Sequence, residues 1–331
     1  MKKDTVAIIF TGGTISMTID PRIGAAIPTL SGEQIMSMVT NIDKLADIKV
    51  VNFSEIPGPH VTPEILMRLK KQVEELLADE TITGVVVTHG TDSLEETAYF
   101  LDLAIESEKP VIVVGAMRSS SELGYDGPSN LAAAVCTAVS EKARNKGVLI
   151  VLNNEVNTAF ETTKTNTLSL GTFKSLTYGP LGVIDNDKLI IHRNITPGQH
   201  IKTDIIESDV DLIKCVLGMD SKLLKFCVDS GSKGIVIEAM GRGNIPPKMV
   251  EGVQYAIDKN IPVVIVSRCP AGRVLDTYGY EGAGYALRKM GCIFGGELNG
   301  QKARIKLMLA LGFTSNVDEI RNIFEKDEYY N

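Results

Sequence analysis

Short apolar runs rich in valine and isoleucine recur through the first half of the chain: Val6–Phe10, Ile48–Phe53, Gly84–Thr88, Val111–Gly115 and Val148–Leu152. Runs of this length and composition suit strands buried on both faces of a parallel sheet. Between them the periodicity becomes helical. Thr62-Pro63 reads as an N-cap followed by proline at the first helical position, and Ile65, Leu69, Val73 and Leu76 then repeat along one face. Ser93 to Leu103 and Ser129 to Ala143 are further predicted helices. Repeated strand–helix alternation implies a doubly wound α/β domain.

The pattern lapses near residues 191–212, where Pro197-Gly198 and the polar Lys202, Asp204, Glu207 and Asp209 suggest a connector. It resumes with a strand over Gly234–Glu238, a helix over Pro247–Asp258 and a strand over Pro262–Val266. Two helices follow, near Gln301–Leu311 and Val317–Phe324. The predicted organisation is α/β: a large N-terminal doubly wound, mostly parallel sheet domain (1–190), a linker (191–212) and a smaller C-terminal α/β domain (213–331). A length of 331 residues favours two domains over one very large core.

Composition narrows the function classes. Apolar residues make up 44% and charged residues 23%, as in ordinary globular proteins. A net charge of −7 leaves no basic footprint for nucleic acid or an anionic membrane surface. The first apolar run is shorter than the roughly 7–15 residues of a signal-peptide core, and the polar Thr11-Gly12-Gly13-Thr14 interrupts it. No segment approaches the ~18 uninterrupted apolar residues of a membrane span. A cytoplasmic location is expected. Cys136, Cys215, Cys227, Cys269 and Cys292 contain no C-x-x-C pair and are odd in number, so they are expected as buried reduced thiols. His60, His89, His192 and His200 show no metal-ligand spacing, and no catalytic metal is expected.

Ligands of open parallel sheets bind just beyond the carboxyl ends of the strands. After the first strand comes Thr11-Gly12-Gly13-Thr14; after Gly84–Thr88 comes His89-Gly90-Thr91-Asp92-Ser93. Two glycine-assisted turns thus deliver a threonine each to the same sheet edge. Glycine permits tight turning and close approach of backbone N–H donors to a ligand. Neither segment is a G-x-G-x-x-G or Walker loop, so no nucleotide cofactor is implied. The competing explanation is that each threonine, or Asp92, caps the helix that follows.

At this point the chain closely resembles bacterial L-asparaginases. The resemblance rests on Thr11-Gly12-Gly13-Thr14-Ile15-Ser16 and on Thr88-His89-Gly90-Thr91-Asp92-Ser93-Leu94-Glu95-Glu96-Thr97-Ala98. It continues through Gly115-Ala116-Met117-Arg118, Asp126-Gly127-Pro128, Thr163-Lys164-Thr165-Asn166-Thr167 and Phe173-Lys174-Ser175. Tyr178-Gly179-Pro180-Leu181-Gly182 and Leu298-Asn299-Gly300-Gln301-Lys302-Ala303-Arg304 complete it, so that it spans essentially the whole chain. It implies an amidohydrolase releasing ammonia from L-asparagine through a threonine nucleophile, with L-glutamine as a secondary substrate and no cofactor.

The resemblance also implies residue roles. Thr14 matches the threonine that attacks the side-chain amide; Thr91, Asp92 and Lys164 match the second motif and its associated lysine. Ser54 and Glu55 follow the second strand, where family members hold the α-amino and α-carboxylate groups of the substrate. Thr91 and Asp92 also contact substrate. Asn244 resembles an asparagine contributed by the second domain, and Glu281 an acidic residue donated by a neighbouring subunit, which implies a homodimer or homotetramer. An aliphatic hydroxyl does not ionise unaided near neutral pH, and a lysine serves as its base when burial keeps the amine neutral.

One departure stands out. The family's mobile loop after the first motif usually carries a tyrosine that activates the first threonine, yet Met17–Glu33 contains none. Within its stretch Thr18–Ala26, Thr18, Asp20 and Arg22 are the polar groups available. Tyr278 and Tyr280, beside Glu281, are candidates for its place; interface packing is the alternative for both, and Arg22 closing over the substrate is another. Two other function classes stay open: a non-catalytic amino-acid-binding module of the same fold, and the asparaginase-like subunit of a tRNA-dependent amidotransferase. The latter predicts an appended domain and a basic RNA-facing surface, neither of which the sequence contains.

Overall fold

The computed structural model describes residues 3–195 and 198–325; Pro197 of the expected connector lies outside them. The chain divides into two compact units, Met1–His200 and Ile201–Asn331. In the first unit the strands are β1 (Thr5–Gly12), β2 (Met17–Asp20), β3 (Ala25–Pro28), β4 (Asp47–Ile56), β5 (Ile82–Thr88) and β6 (Val111–Val114). They continue with β7 (Val148–Leu152), β8 (Glu155–Thr158), β9 (Thr162–Lys164), β10 (Phe173–Ser175), β11 (Gly182–Asp185) and β12 (Lys188–Ile191). Eight of them form one sheet in the order β12-β11-β8-β7-β6-β5-β1-β4. The β4, β1, β5, β6 and β7 strands are mutually parallel. The Val and Ile side chains of β1, β5, β6 and β7 are buried, as both-faced coverage by helices requires, while those of the edge strand β4 are only half-buried.

The three antiparallel strands β8, β11 and β12 extend this sheet. They escape the apolar-run pattern because each is four residues long and only partly apolar. Their turns carry the signal instead. Asn153 and Asn154 join β7 to β8, and Asn186 and Asp187 join β11 to β12, all four with positive φ of 49–60°. Two consecutive left-handed residues form the type I′ hairpin turn, whose twist matches that of paired strands.

Elsewhere the helices adjust the expected pattern by small shifts. Thr62 Oγ1 accepts from Ile65 N at 3.4 Å with Pro63 at the first turn. The buried face is Leu66, Leu69, Val73 and Leu76, so Leu66 takes the inward place expected of Ile65. The helix expected over Ser129–Ala143 spans Gly127–Ala138 and is followed by a separate 3-10 turn, Glu141–Ala143. Ser140 turns extended between them and accepts from Lys142 N.

The second unit has its own parallel sheet, β13 (Val210–Lys214), β14 (Gly234–Ala239), β15 (Val263–Ser267) and β16 (Ile293–Phe294), in sequence order. The linker expected to reach residue 212 therefore ends earlier, since β13 begins at Val210. As an edge strand it buries only Val210 and Ile213, and its alternation with charged residues reads as polar. Among the cysteines, Cys136, Cys215 and Cys292 are buried, but Cys269 is exposed just past β15, against the expectation.

The two threonine-bearing turns lie at a reversal of strand order. β1 is flanked by β4 on one side and β5 on the other, and Phe10 is in register with both Asn52 and Thr88. The segments leaving these strands meet at glycines. A methyl group at Gly13 would lie 2.4 Å from Gly90 Cα, one at Gly12 2.4 Å from Ile56 O, and one at Gly90 2.6 Å from Gly58 N. Gly12 and Gly13 also have φ of +110° and +80°, which a side chain would oppose.

Behind the second turn His89 is fully buried and neutral. Its Nδ1 lies 2.9 Å from Gly90 O and its Nε2 2.9 Å from Thr97 Oγ1. Protonated Nδ1 donates to the carbonyl, and the Thr97 hydroxyl donates to Nε2. Burial lowers the pKa from 6.5 to about 4, partly offset by the Gly90 carbonyl. Below the unfolded value the unfolded chain takes up a proton that the folded chain refuses. Stability is therefore complete above pH 6.5 and declines as the pH falls from there toward 4. The expected outcome is that the stability of wild type relative to His89→Gln, from urea midpoints, shrinks by about 2 kcal/mol between about pH 7.5 and about pH 5. A difference independent of pH contradicts the buried neutral imidazole.

Candidate active site

The first turn after β1 is a 3-10 turn, Thr14–Ser16, closed by Ser16 N and Ser16 Oγ donating to Gly13 O at 3.0 and 2.8 Å. Ile15 is fully buried and anchors it. Thr14 is half-buried, and among the described residues nothing hydrogen-bonds its hydroxyl. Because Gly13 and Gly90 touch, the residues that follow them, Thr14 and Thr91, sit on adjoining turns.

Thr91 has a partner. Lys164 Nζ donates to Thr91 Oγ1 at 3.0 Å and to Asp92 Oδ1 at 2.8 Å. The lysine side chain is 18% exposed and that of Asp92 65% exposed. An ion pair with one carboxylate so open to water adds little stability, on the order of 0–1 kcal/mol. Its effect is to aim the amine at the hydroxyl. The helix-capping alternative fails here: the N-cap of the Leu94–Ala104 helix is Ser93, without a side-chain cap, and Ser93 Oγ donates instead to Gly58 O at 2.7 Å.

Lys164 ends β9, which pairs with β10 through Lys164 and Phe173. The buried Glu95, on the first turn of the helix that follows Asp92, accepts from Thr163 Oγ1 at 3.2 Å and from Lys164 N at 3.4 Å. One helix start therefore carries Asp92 and also fixes the strand that delivers the lysine. Glu95 is assigned no role from the sequence; its place three residues after Asp92 within the second motif was the available signal.

Ser54 and Glu55 close β4 against the first turn. Ser54 Oγ donates to Thr11 O at 2.8 Å, which leaves its lone pairs to accept from a ligand. The Glu55 backbone carbon is 3.0 Å from the place a Gly12 methyl would take, while its side chain is exposed and has no ion pair among the described residues. The loop lacking a tyrosine forms a hairpin, β2 with β3. Thr18 Oγ1 is bonded to Thr29 Oγ1 at 2.7 Å, and the Arg22 guanidinium grips Asp20 at 2.7 and 3.2 Å. Arg22 beside it holds the Asp20 carboxyl below the usual range. All three polar groups are engaged within the hairpin itself, so nothing in the geometry directs Arg22 toward the threonines.

The remaining candidates belong to the second unit. Ile245 N donates to Gly282 O at 2.8 Å and Asn244 Oδ1 accepts from Gly284 N at 3.4 Å, so Asn244 and the segment bearing Glu281 are held together. The Glu281 side chain is exposed. Asn244 lines an apolar groove of about 630 Å³ with Leu217, Met219, Met240, Pro246 and Tyr280. Tyr278 and Tyr280 stack on each other at 5.9 Å, both largely exposed. Among the described residues no helix is long and apolar enough to cross a membrane.

The sequence matches two families in order: Asparaginase, N-terminal, over residues 5–197, and Glutaminase/Asparaginase C-terminal domain, over residues 209–324. An L-asparaginase of Bacillus licheniformis is 36% identical over 92% of this chain and 95% of its own length. A probable periplasmic L-asparaginase of Haemophilus influenzae is 34% identical over 97% of this chain and 92% of its own. The crystal structure of a probable cytoplasmic L-asparaginase from Campylobacter jejuni aligns with a TM-score of 0.87 at 34% identity, covering 97% of this chain and 99% of that one. With both domains matched, and the motif turns meeting at one sheet edge, the chain belongs to the asparaginase family.

Proposed function

We propose that the protein hydrolyses L-asparagine to L-aspartate and ammonia through a threonine nucleophile, with L-glutamine as a secondary substrate. The observation that carries this reading is the amine of Lys164 3.0 Å from the Thr91 hydroxyl, with Asp92 orienting it. Covalent catalysis divides the reaction into formation and hydrolysis of an ester. Thr14 attacks the amide carbon, and its hydroxyl proton ends on the leaving nitrogen as ammonia departs. Thr91, with Lys164 as base, prepares the water that then breaks the ester. Backbone N–H groups of the two glycine turns serve the developing oxyanion. Ser54, Glu55, Asp92 and Thr91 receive the substrate, the exposed Glu55 carboxylate suiting an α-ammonium group.

An ammonia assay with L-asparagine and L-glutamine tests the reading directly, and a non-catalytic amino-acid-binding module binds either without releasing ammonia. Discrimination between the two substrates rests on one methylene, about 1–3 kcal/mol. Thr91→Ala and Lys164→Met are expected to lower turnover by about 10²–10⁴-fold, non-additively, with the fold retained. A folded Lys164→Met protein with near-normal turnover removes the pair from the mechanism.

The active unit in this reading is a homodimer or homotetramer, in which Asn244 and Glu281 complete the site of a neighbouring copy. A cleft closed by a second chain excludes water and strengthens the polar contacts inside. A cytoplasmic location is part of this reading, supported by the similarity to the probable cytoplasmic L-asparaginase of Campylobacter jejuni. Sedimentation at assay concentration is expected to show a dimer or larger; a fully active monomer contradicts the shared site.

A further inference from the structure

The turn that carries Thr14 is held from outside by the segment joining β6 to the Gly127–Ala138 helix. Ser120 donates to Met17 O from its backbone N–H at 3.1 Å and from its hydroxyl at 2.9 Å. Ser121 Oγ accepts from Ile19 N at 3.0 Å. Nearest to the threonine, the Tyr125 phenol donates to Ile15 O at 2.5 Å, one residue beyond Thr14.

The tyrosine stands on a fixed base. Asp126 accepts from the backbone N–H groups of Met117 and Arg118 at 2.9–3.1 Å and from Asn130 Nδ2 at 2.9 Å. A methyl group at Gly127 would come within 2.4 Å of the phenol oxygen, so that glycine leaves the room the ring occupies. At the other end, the Ile15 side chain is fixed in the core. The bond therefore joins two anchored elements and ties the turn, already closed by Ser16 on Gly13 O, to the segment that bears Tyr125.

We propose that Tyr125 is a positioning residue for Thr14, fixing its turn through the Ile15 carbonyl in a chain whose Met17–Glu33 loop has no tyrosine. This rests on Thr14 being the reacting hydroxyl, as in the function proposed above. The phenol works as a donor and not as a base. Burial, with the Asp126 carboxylate beside it, raises its pKa above the ordinary value, and its proton is directed at Ile15 O. Removing the hydroxyl leaves that carbonyl without this partner, and the turn relaxes. Misplacing a reacting group by about 1 Å can cost about 10²-fold in rate.

Tyr125→Phe keeps the ring and deletes only the bond. The expected result is a kcat about 10–100-fold lower with KM changed by less than about threefold, and faster amide exchange over residues 13–17 at an unchanged thermal midpoint. In a Thr14→Ala background the same substitution costs no further residual turnover. Gly127→Ala, which crowds the ring without deleting the hydroxyl, speeds exchange over the same residues. Turnover of Tyr125→Phe within about twofold of wild type, unchanged exchange, or an equal loss in the Thr14→Ala background overturns the proposal. Exchange needs no reaction. A wild type releasing no ammonia therefore removes the proposed function, while the exchange arm still decides what Tyr125 does to the turn.

Discussion

Backbone touching backbone at Gly13 and Gly90 is the constraint from which the site follows. Two turns leaving neighbouring parallel strands can approach this closely only where neither carries a side chain, and a methyl group at Gly13 would overlap the opposite Cα. Gly12 against Ile56 and Gly58 against Gly90 bring the end of β4 into the same contact. The close approach of the turns that carry Thr14, Thr91 and Ser54 is thereby set first by main-chain packing. Groups held in this way need little reorganisation when charge develops on a substrate. Each glycine loses more freedom on folding than alanine would, by about 0.5–1 kcal/mol, so the arrangement is maintained against a local cost.

Polar groups around these turns divide by environment. Behind them, buried and neutral, His89 ties the second turn to its own helix through Thr97. Beneath Lys164, the buried Glu95 holds the strand by accepting from Thr163 and from the lysine's own N–H. In front, Asp92 and Glu55 are exposed, as their proposed contacts with a zwitterionic amino acid require. Frame-setting bonds are thus kept away from water, where each is strong, while the charges proposed to select a ligand remain accessible.

How far the sequence could be read depends on whether a feature is local. The parallel strands β1, β5, β6 and β7 were legible because each is a continuous apolar run, β4 because its apolar residues recur across Lys49 and Asn52, and the two threonine turns because glycines stand at or just past the ends of β1 and β5. The hairpins at Asn153-Asn154 and Asn186-Asp187 carried a legible turn signal, but their strands are too short for periodicity to reveal. Lys164 lies 73 residues from Thr91, and only the family resemblance connected them. Glu95 lay within the second motif, but its partner Thr163 is 68 residues away, and nothing local marked Tyr125, 110 residues from Ile15. Contacts of that separation are fixed by sheet order, and the reversal at β1 that creates them is a property of the whole domain.

The account stands or falls on whether the turns that meet at Gly13 and Gly90 form one site. A crystal structure of the protein with L-aspartate bound tests this most directly. The account predicts the side-chain carboxylate within hydrogen-bonding distance of both Thr14 and Thr91 hydroxyls, with the α-ammonium group against Glu55. Aspartate bound elsewhere, or touching only one of the two threonines, contradicts it.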